Sequence, residues 1–569
     1  MLDISARRMC STAVLLCILL AAQQCSAKLF RPFQSVQAGR GLSSISSSRR
    51  EQVLHSMWAA PLGLHSADAD HILRSGFKYE LQGRNWRLLT KKLATPGSNI
   101  TVVAFGGSVT VGHYATSENS SWPEEAVAWM QAAFPEVEFT LMNLGHGATT
   151  AAIASLCYYQ DMPPNPDLVM VEYSINGCGA LQCMRPSQPE VAGYENLLRN
   201  IMLRAPEAAL ISLGVFNWRT DVYKGVEIPN AYFSTGEDQH AIIAKRYGVP
   251  YVSVRDALFD VLYNNTLAKQ KLGFTREEML KGDPIHPKLI GAQMYGGGFV
   301  AWGVRHMVTL SLLHNPHHYS HPLLQHSRVV RRRQLLSWSP PSFAGSEVSE
   351  DLAPPPLPSF VSPIAAKQLD RDNICYAGMA LKHRPVSNNG WEWVDEGRSD
   401  CRVPGCHKYG WTTKTVGASL DFELDTSQVL SQEDRQAGYK VALVIVFLRS
   451  HMNNPEREQG PQRGMGVALV SCISGCKCKP LKIDAVNTDR SSELDSLRTQ
   501  VSSHAKCMIR IEILDESSSF GGHKFRLNGI ALSAYTDDVP SGLPARLLFN
   551  KNHLLAVEKF VEDVPEPED

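Results

Sequence analysis

Between residues 99 and 254 five short apolar runs (100–105, 139–144, 168–174, 209–216 and 251–254) recur with helix-forming segments between them. The runs are apolar throughout instead of alternating, so strands made from them must be covered on both faces. Residues 123–133, 194–204 and 238–247 carry the covering helices. Strand–helix alternation of this kind predicts an α/β fold, a three-layer α/β/α domain around a parallel, flavodoxin-like sheet. In such sheets the chemistry gathers at the C-terminal ends of the strands.

The chain has 569 residues, too many for one ordinary core, so further domains are expected. Residues 28–95 read as an N-terminal extension in which Trp58 and Trp86 mark a part that packs onto the α/β domain, placed at 96–313. Segment 289–313 is long and apolar, but Gly296-Gly297-Gly298 interrupts it and Arg305 and His306 sit within it, so it reads as the last core helix and not as a membrane span. A His/Arg/Pro-rich linker follows at 314–369. His314, His317, His318, His321 and His326 show no fixed ligand spacing and read as solvated tail; the run Arg328-Val329-Val330-Arg331-Arg332-Arg333 reads as an exposed charge cluster or a site of proteolytic cutting. Pro354-Pro355-Pro356 predicts extended chain. From 370 to 540 the texture changes to short alternating segments (419–424, 440–447, 466–472, 508–514, 525–534) separated by turn residues, the pattern of an antiparallel β-sandwich or jelly roll. Residues 541–569 form a C-terminal segment with an acidic tail.

Arg7 and Arg8, an apolar stretch at 13–22 and Cys25-Ser26-Ala27 have the form of a secretory signal peptide spanning 1–27. The expected location is extracellular or cell wall, or a secretory lumen if the segment stays as an anchor. The sequons at Asn99, Asn119 and Asn264 fit a secreted glycoprotein. Of the 13 Cys residues, Cys157, Cys178 and Cys183 lie in the first half and seven lie from Cys375 onward. Both numbers are odd, so either a bridge crosses the halves or each half keeps a free thiol. Cys472, Cys476 and Cys478 are expected to pair with Cys375, Cys401, Cys406 and Cys507 instead of holding a metal. Lys+Arg and Asp+Glu balance at 56 each, which gives no reason to expect nucleic acid as a partner.

Four segments stand where an α/β site needs them. Gly106-Gly107-Ser108 follows the first run and can present a hydroxyl on a sharp turn. Gly145-His146-Gly147 follows the second and can aim a backbone N–H inward. Asn176 closes the third and offers a side-chain amide. Asp283-Pro284-Ile285-His286 precedes the last helix; at this spacing a carboxylate can fix the imidazole tautomer while the other ring nitrogen faces Ser108. His113 and His146 are rival bases without a carboxylate at a helpful local spacing. Cys178 and Cys183 can close a short loop beside Asn176. Tyr114, Trp122 and Trp218 read as core or as pocket wall.

In order and context the four segments resemble the blocks of the SGNH hydrolases, or GDSL-type esterases, over residues 99–310. The resemblance implies Ser108 as nucleophile, His286 as base and Asp283 as its orienting partner. It implies an oxyanion hole from Ser108, Gly147 and Asn176, with Gly145 as the alternative to Gly147 in a register shifted by two. No cofactor or metal is implied. Two positions depart from the family's pattern: Gly107 stands where it carries Asp, and Gly177 where it often carries Asp. Together with the signal peptide, the resemblance implies an esterase removing small acyl groups such as acetyl from an extracellular or cell-wall polysaccharide, or acting on a small ester. The rivals are a glycan O-acetyltransferase using the same triad and a non-catalytic glycan-binding protein. Asn373 to Trp411 also resembles an accessory domain that accompanies SGNH modules. Clustered Trp391, Trp393 and Trp411 are read there as either sugar-stacking or core residues.

Overall fold

In the first domain the apolar runs become strands within a residue or two of their sequence positions: β2 (Asn99–Gly106), β3 (Glu138–Asn143), β4 (Leu168–Glu172), β5 (Ala209–Gly214) and β8 (Tyr251–Ser253), after a short β1 (Phe77–Tyr79) and with a hairpin, β6 (Thr220–Tyr223) and β7 (Val226–Pro229), between β5 and β8. This is a computed structural model describing residues 45–66, 68–79, 83–115, 120–178, 189–280, 282–313, 373–397, 404–451, 464–487, 492–519 and 521–535, and the fold below is that of the unit beginning at Ser47. The signal peptide, the linker at 314–369 and the acidic tail lie outside the described residues.

The sheet order is β1-β8-β5-β4-β2-β3, with β2, β3, β4, β5 and β8 parallel and β1 antiparallel at one edge. β4 and β5 are buried along their whole length, as continuous apolar strands covered on both faces must be. The chain leaves β2 first for β3 on one side and then for β4 on the other, so the crevice at the end of β2 is the place where doubly wound sheets hold their sites. Segment 289–313 is one long helical run with a π-helical stretch at Met294–Val300, buried inside the domain. It passes so close to the helix Trp122–Ala133 that a Cβ on Gly296 would lie 1.9 Å from the Trp122 carbonyl oxygen. Among the described residues no helix is long and apolar enough to cross a membrane.

Residues 47–94 belong to this domain instead of standing apart as an extension. The helices Ser47–Ala59, Ala69–Gly76 and Arg84–Leu93 pack on it, Trp86 is buried, and Trp58 lies under the Arg305 guanidinium, 4.2 Å from its ring centroid. β1 is only three residues long and pairs with a strand more than 170 positions away, so local pattern carries no trace of it.

The second domain is an antiparallel β-sandwich. One sheet is Pro385–Asn389, Ser419–Leu424, Cys507–Ile513, Val467–Ser474 and Leu481–Asp484; the other centres on Phe525–Tyr535 and Lys440–His451. Lys440–His451 alternates. Val441, Leu443, Ile445 and Phe447 fill the sandwich core, while Ala442, Val444 and Val446 face Ile153, Leu156 and Tyr158 of the first domain. Trp391 is a core residue, and Trp393 and Trp411 are half-buried against that core, so the Trp cluster serves packing.

The two domains are therefore docked, not merely tethered through a linker. Cys157 and Cys375 form the bridge that crosses the halves, with Cα atoms 5.6 Å apart. Around it Asn373 Nδ2 donates to the Leu156 carbonyl (3.1 Å), Gln160 Nε2 to the Asn373 carbonyl (2.8 Å) and Leu494 N–H to the Ala148 carbonyl (2.7 Å). Within the sandwich Cys476 pairs with Cys507 as one of the expected combinations, but Cys472 pairs with Cys478 and not with a distant cysteine. The turn after Val467–Ser474 brings those two Cα atoms to 5.7 Å, within reach of one bridge. Cys178 and Cys406 are also disulfide-bonded; Cys183 and Cys401 lie outside the described residues.

Candidate functional site

At the end of β2 the chain turns through Gly107 into a one-turn helix, Ser108–Val111, which presents the Ser108 hydroxyl above the sheet. A Cβ on Gly107 would come within 2.5 Å of Asn176 Nδ2. In this chain the space beside Gly107 is filled by the Asn176 amide.

The Asp283–His286 loop reaches the same crevice from the other end of the sequence. Trp218 N–H donates to the Pro284 carbonyl and holds the loop (2.8 Å). His286 Nε2 is 2.7 Å from Ser108 Oγ and its Nδ1 is 2.6 Å from Asp283 Oδ2. Asp283 Oδ1 accepts the backbone N–H groups of Ile285 (2.7 Å) and His286 (3.1 Å), and Tyr114 OH approaches Oδ2 at 3.4 Å. Burial works to raise the Asp283 pKa, but the hydrogen bond and charge of His286 with those two N–H groups hold it well below the usual carboxylate range. Asp283 is therefore an anion fixed against the imidazole, so Nε2 is left to accept a proton from Ser108.

The donors gather from two other strand ends. Asn176, after β4, gives one amide hydrogen to the Thr149 carbonyl (2.9 Å) and keeps a second. Gly145 N–H is consumed by Asn143 Oδ1 (3.0 Å), whose Nδ2 in turn donates to the Thr110 carbonyl (2.8 Å). Gly147 is the one that lines the cleft with Ser108, and its N–H faces the Gly405 carbonyl of the second domain at 3.3 Å. The next residue, Ala148, has φ +65°, a left-handed conformation costly for a side chain bearing a Cβ. The Leu494 N–H on its carbonyl holds it there.

Of the rival bases, His146 stacks on Tyr158 (centroids 3.9 Å apart), and burial pulls its pKa down to about 4, so it is neutral and turned away. His113 lies beside His286, with ring centroids 4.3 Å apart, and lines the cleft. Trp122 and Trp218 are core: their indole N–H groups meet Thr110 Oγ1 and Tyr295 OH, both at 3.3 Å. Among the described residues the one group of side chains spaced like metal ligands is Cys472, Cys476 and Cys507, whose sulfurs are in disulfides. Of the sequons, Asn99 and Asn264 are exposed and Asn119 lies outside the described residues.

Two features have no signature in the sequence. Glu172, at the end of β4, is buried beneath the nucleophile turn and accepts from Thr110 Oγ1 (3.0 Å) and from the backbone N–H groups of Ser174 and Gly107; burial, the larger effect, pushes its pKa up to about 7. A glutamate inside an apolar run could have been flagged as buried and needing a partner, but not placed. The other feature is the far wall of the cleft, made by Glu396, Cys406 and Lys408 of the sandwich.

No family model matches the chain, and no curated protein matches it. Among solved structures it is similar to a two-domain esterase (CEX) active on acetylated mannans, at 15% identity and a TM-score of 0.50, over 82% of this chain and 99% of the other. A structure of that esterase co-crystallized with mannopentaose matches at 15% identity and a TM-score of 0.47, over 82% and 98%. A possible lipase from Chitinophaga pinensis matches at 14% identity and a TM-score of 0.27, over 37% of this chain and 99% of its own. At these identities the likeness is one of fold: an α/β domain followed by a β-sandwich.

Proposed function

We propose that the chain is a serine esterase that removes small acyl groups, acetyl above all, from a polysaccharide through an acyl-enzyme on Ser108. The observation that carries this is the chain of hydrogen bonds Ser108–His286–Asp283 at the C-terminal ends of β2 and the last βα connection. Ser108 Oγ attacks the ester carbonyl carbon while His286 Nε2 takes its proton; the carbonyl's π pair moves onto oxygen. Ser108 N–H, the second Asn176 hydrogen and the Gly147 region surround that oxygen. The tetrahedral adduct collapses by expelling the sugar alkoxide, to which His286 returns the proton. A water molecule, deprotonated by the same imidazole, then releases the acid and restores Ser108.

The sugar half of the proposal is supported by the fold it shares with an esterase active on acetylated mannans and by the open cleft between the two domains. The signal-peptide form of residues 1–27 and the exposed sequons at Asn99 and Asn264 support action outside the cell. The test is release of nitrophenol from p-nitrophenyl acetate, and of acetate from acetylated mannan, xylan and pectin, by the protein and by Ser108→Ala. Release that the variant lacks supports the esterase, and the polymer preferred narrows the substrate. A well-folded protein that cleaves no ester overturns it.

A further inference from the structure

Gly147 N–H is committed in a way that an oxyanion-hole donor is not expected to be. The turn Pro404–Cys406 of the sandwich places the Gly405 carbonyl on it. This turn is seated closely: a Cβ on Gly405 would lie 1.5 Å from the Gly145 carbonyl oxygen, and Cys406 beside it is disulfide-bonded. The second domain thus takes up one backbone donor of the site with an acceptor of its own.

The same connection returns a cation. Lys408 follows two residues later, with its backbone fixed on both sides: its N–H donates to Asp395 Oδ1 (2.7 Å) and its carbonyl accepts from Arg526. Its stem lies over Gly147, with Cε 3.2 Å and Nζ 4.0 Å from where a Cβ on that glycine would stand, and it lines the cleft with Ser108. The Lys408 ammonium has no hydrogen bond or ion pair to any described residue. Glu396, the acid nearest in sequence on the cleft wall, is already held by Arg526 Nη1 (2.6 Å) and Lys524 Nζ (2.8 Å). Burial, and next the Arg526 charge, lower the pKa of Lys408. A half-buried cation beside another cation, whose one nearby carboxylate, Glu396, opposes the lowering of its pKa without bonding to it, does little for the fold; charges are kept in such places where an anion arrives. In acyl transfer the arriving anion is the tetrahedral oxygen.

We propose that Lys408 is a catalytic residue supplied by the second domain: its ammonium takes the place of the Gly147 N–H in the oxyanion hole and donates a hydrogen bond to the tetrahedral oxygen. No proton leaves Lys408. As Ser108 Oγ bonds to carbon, the carbonyl π pair becomes the oxygen's third lone pair, which the ammonium faces; when the C–O bond to the leaving alcohol breaks, that pair re-forms the carbonyl. The proposal rests on the esterase reading and makes the active site a product of both domains.

The experiment compares the full chain with Lys408→Met, Lys408→Arg and Ser108→Ala on p-nitrophenyl acetate and on acetylated mannan, a neutral polymer. Lys408→Met keeps the stem and removes the charge; kcat should fall about 100-fold on both substrates with KM changed less than about threefold. Lys408→Arg should recover most of that loss. If Lys408→Met lowers the melting temperature, Lys408→Gln decides by the same criterion. A kcat within about threefold of wild type for the uncharged variant overturns the proposal. So does an effect confined to KM on uronate-bearing acetylated pectin, which would make Lys408 a site for a sugar carboxylate. A wild-type protein that cleaves neither ester removes the esterase reading and the proposal with it, an outcome separable from the others because it silences wild type.

Discussion

The two domains meet at one cleft but reach it by different routes. In the first domain the groups that matter hang on strand ends, and each sits beside a local mark: a glycine turn after β2, a glycine pair after β3, an amide after β4, an Asp three positions before a His. In the second, Lys408 and Gly405 belong to a connection whose position is fixed from outside it, by Arg526 and by the face of Lys440–His451 that packs on Ile153 and Tyr158. A strand-end site is legible in one dimension because the sheet itself gathers it. A site wall brought in by docking is not.

That contrast is most severely tested at Ser108. If the first domain alone carries the chemistry, Ser108→Ala and His286→Ala each lower kcat by about 10⁴-fold or more, and the double variant loses no more than either single, since the pair acts as one unit. Steady-state rates on p-nitrophenyl acetate measure this. Additive losses would mean that the two side chains do not share a step.

The next largest effect probes Gly107. Gly107→Asp places a carboxylate beside Ser108, and its Cβ would stand 2.5 Å from Asn176 Nδ2. The amide must move, and kcat is expected to fall about 100-fold with little change in KM. An unchanged rate would show that Asn176 is not an oxyanion donor, and that the match of blocks had been carried further than the geometry allows.

The bridge between the domains comes third. Cys157 and Cys375 close a loop of 218 residues, so replacing both by Ser removes a constraint from the unfolded chain worth about 5 kcal/mol. Thermal melting of Cys157→Ser/Cys375→Ser under non-reducing conditions should show a lower midpoint. Activity should be retained below it, because the apolar contacts of Val444 and Val446 with Ile153 and Leu156 remain. Two separate transitions, with activity lost at the first, would show that the docked sandwich is needed for catalysis.

How much could be read beforehand follows the same division. The β2, β4 and β5 runs were visible because burial on both faces leaves them mostly apolar, with Thr101, Glu172 and Ser212 among the few polar members. Five strands of the sandwich were visible through their alternation, whereas others, such as Pro385–Asn389, Tyr409–Thr413 and Glu493–Val501, were not. β1, Glu172 and the partner of Cys157 were not, since each is defined by a contact between residues far apart in sequence: Thr110 to Glu172, Phe77 to Val252, Cys157 to Cys375. The Trp cluster stayed open between two readings for another reason. A half-buried Trp at a core edge and one that stacks on sugar have the same composition around them.

The smallest effect is a pH dependence that compares a carboxyl inside the first domain with one at the boundary. Burial pushes Glu172 up to about 7 and Glu190 up to about 8; Glu190 is raised further by Asp495 and Glu493 of the sandwich and lowered by Arg449. Each binds its proton more tightly folded than unfolded. Between about pH 4.5, where the unfolded groups ionise, and pH 7 to 8, the native state holds more protons than the unfolded one, so stability falls as pH rises. The melting temperature should therefore drop by a few degrees from pH 5 to pH 8. Glu190→Gln removes the boundary contribution and should flatten that slope throughout the interval from about pH 5 to pH 8, whereas an unchanged slope would locate the coupling at Glu172 and at Glu237, which burial also raises to about 8, and leave the boundary carboxylates compensated by Arg449.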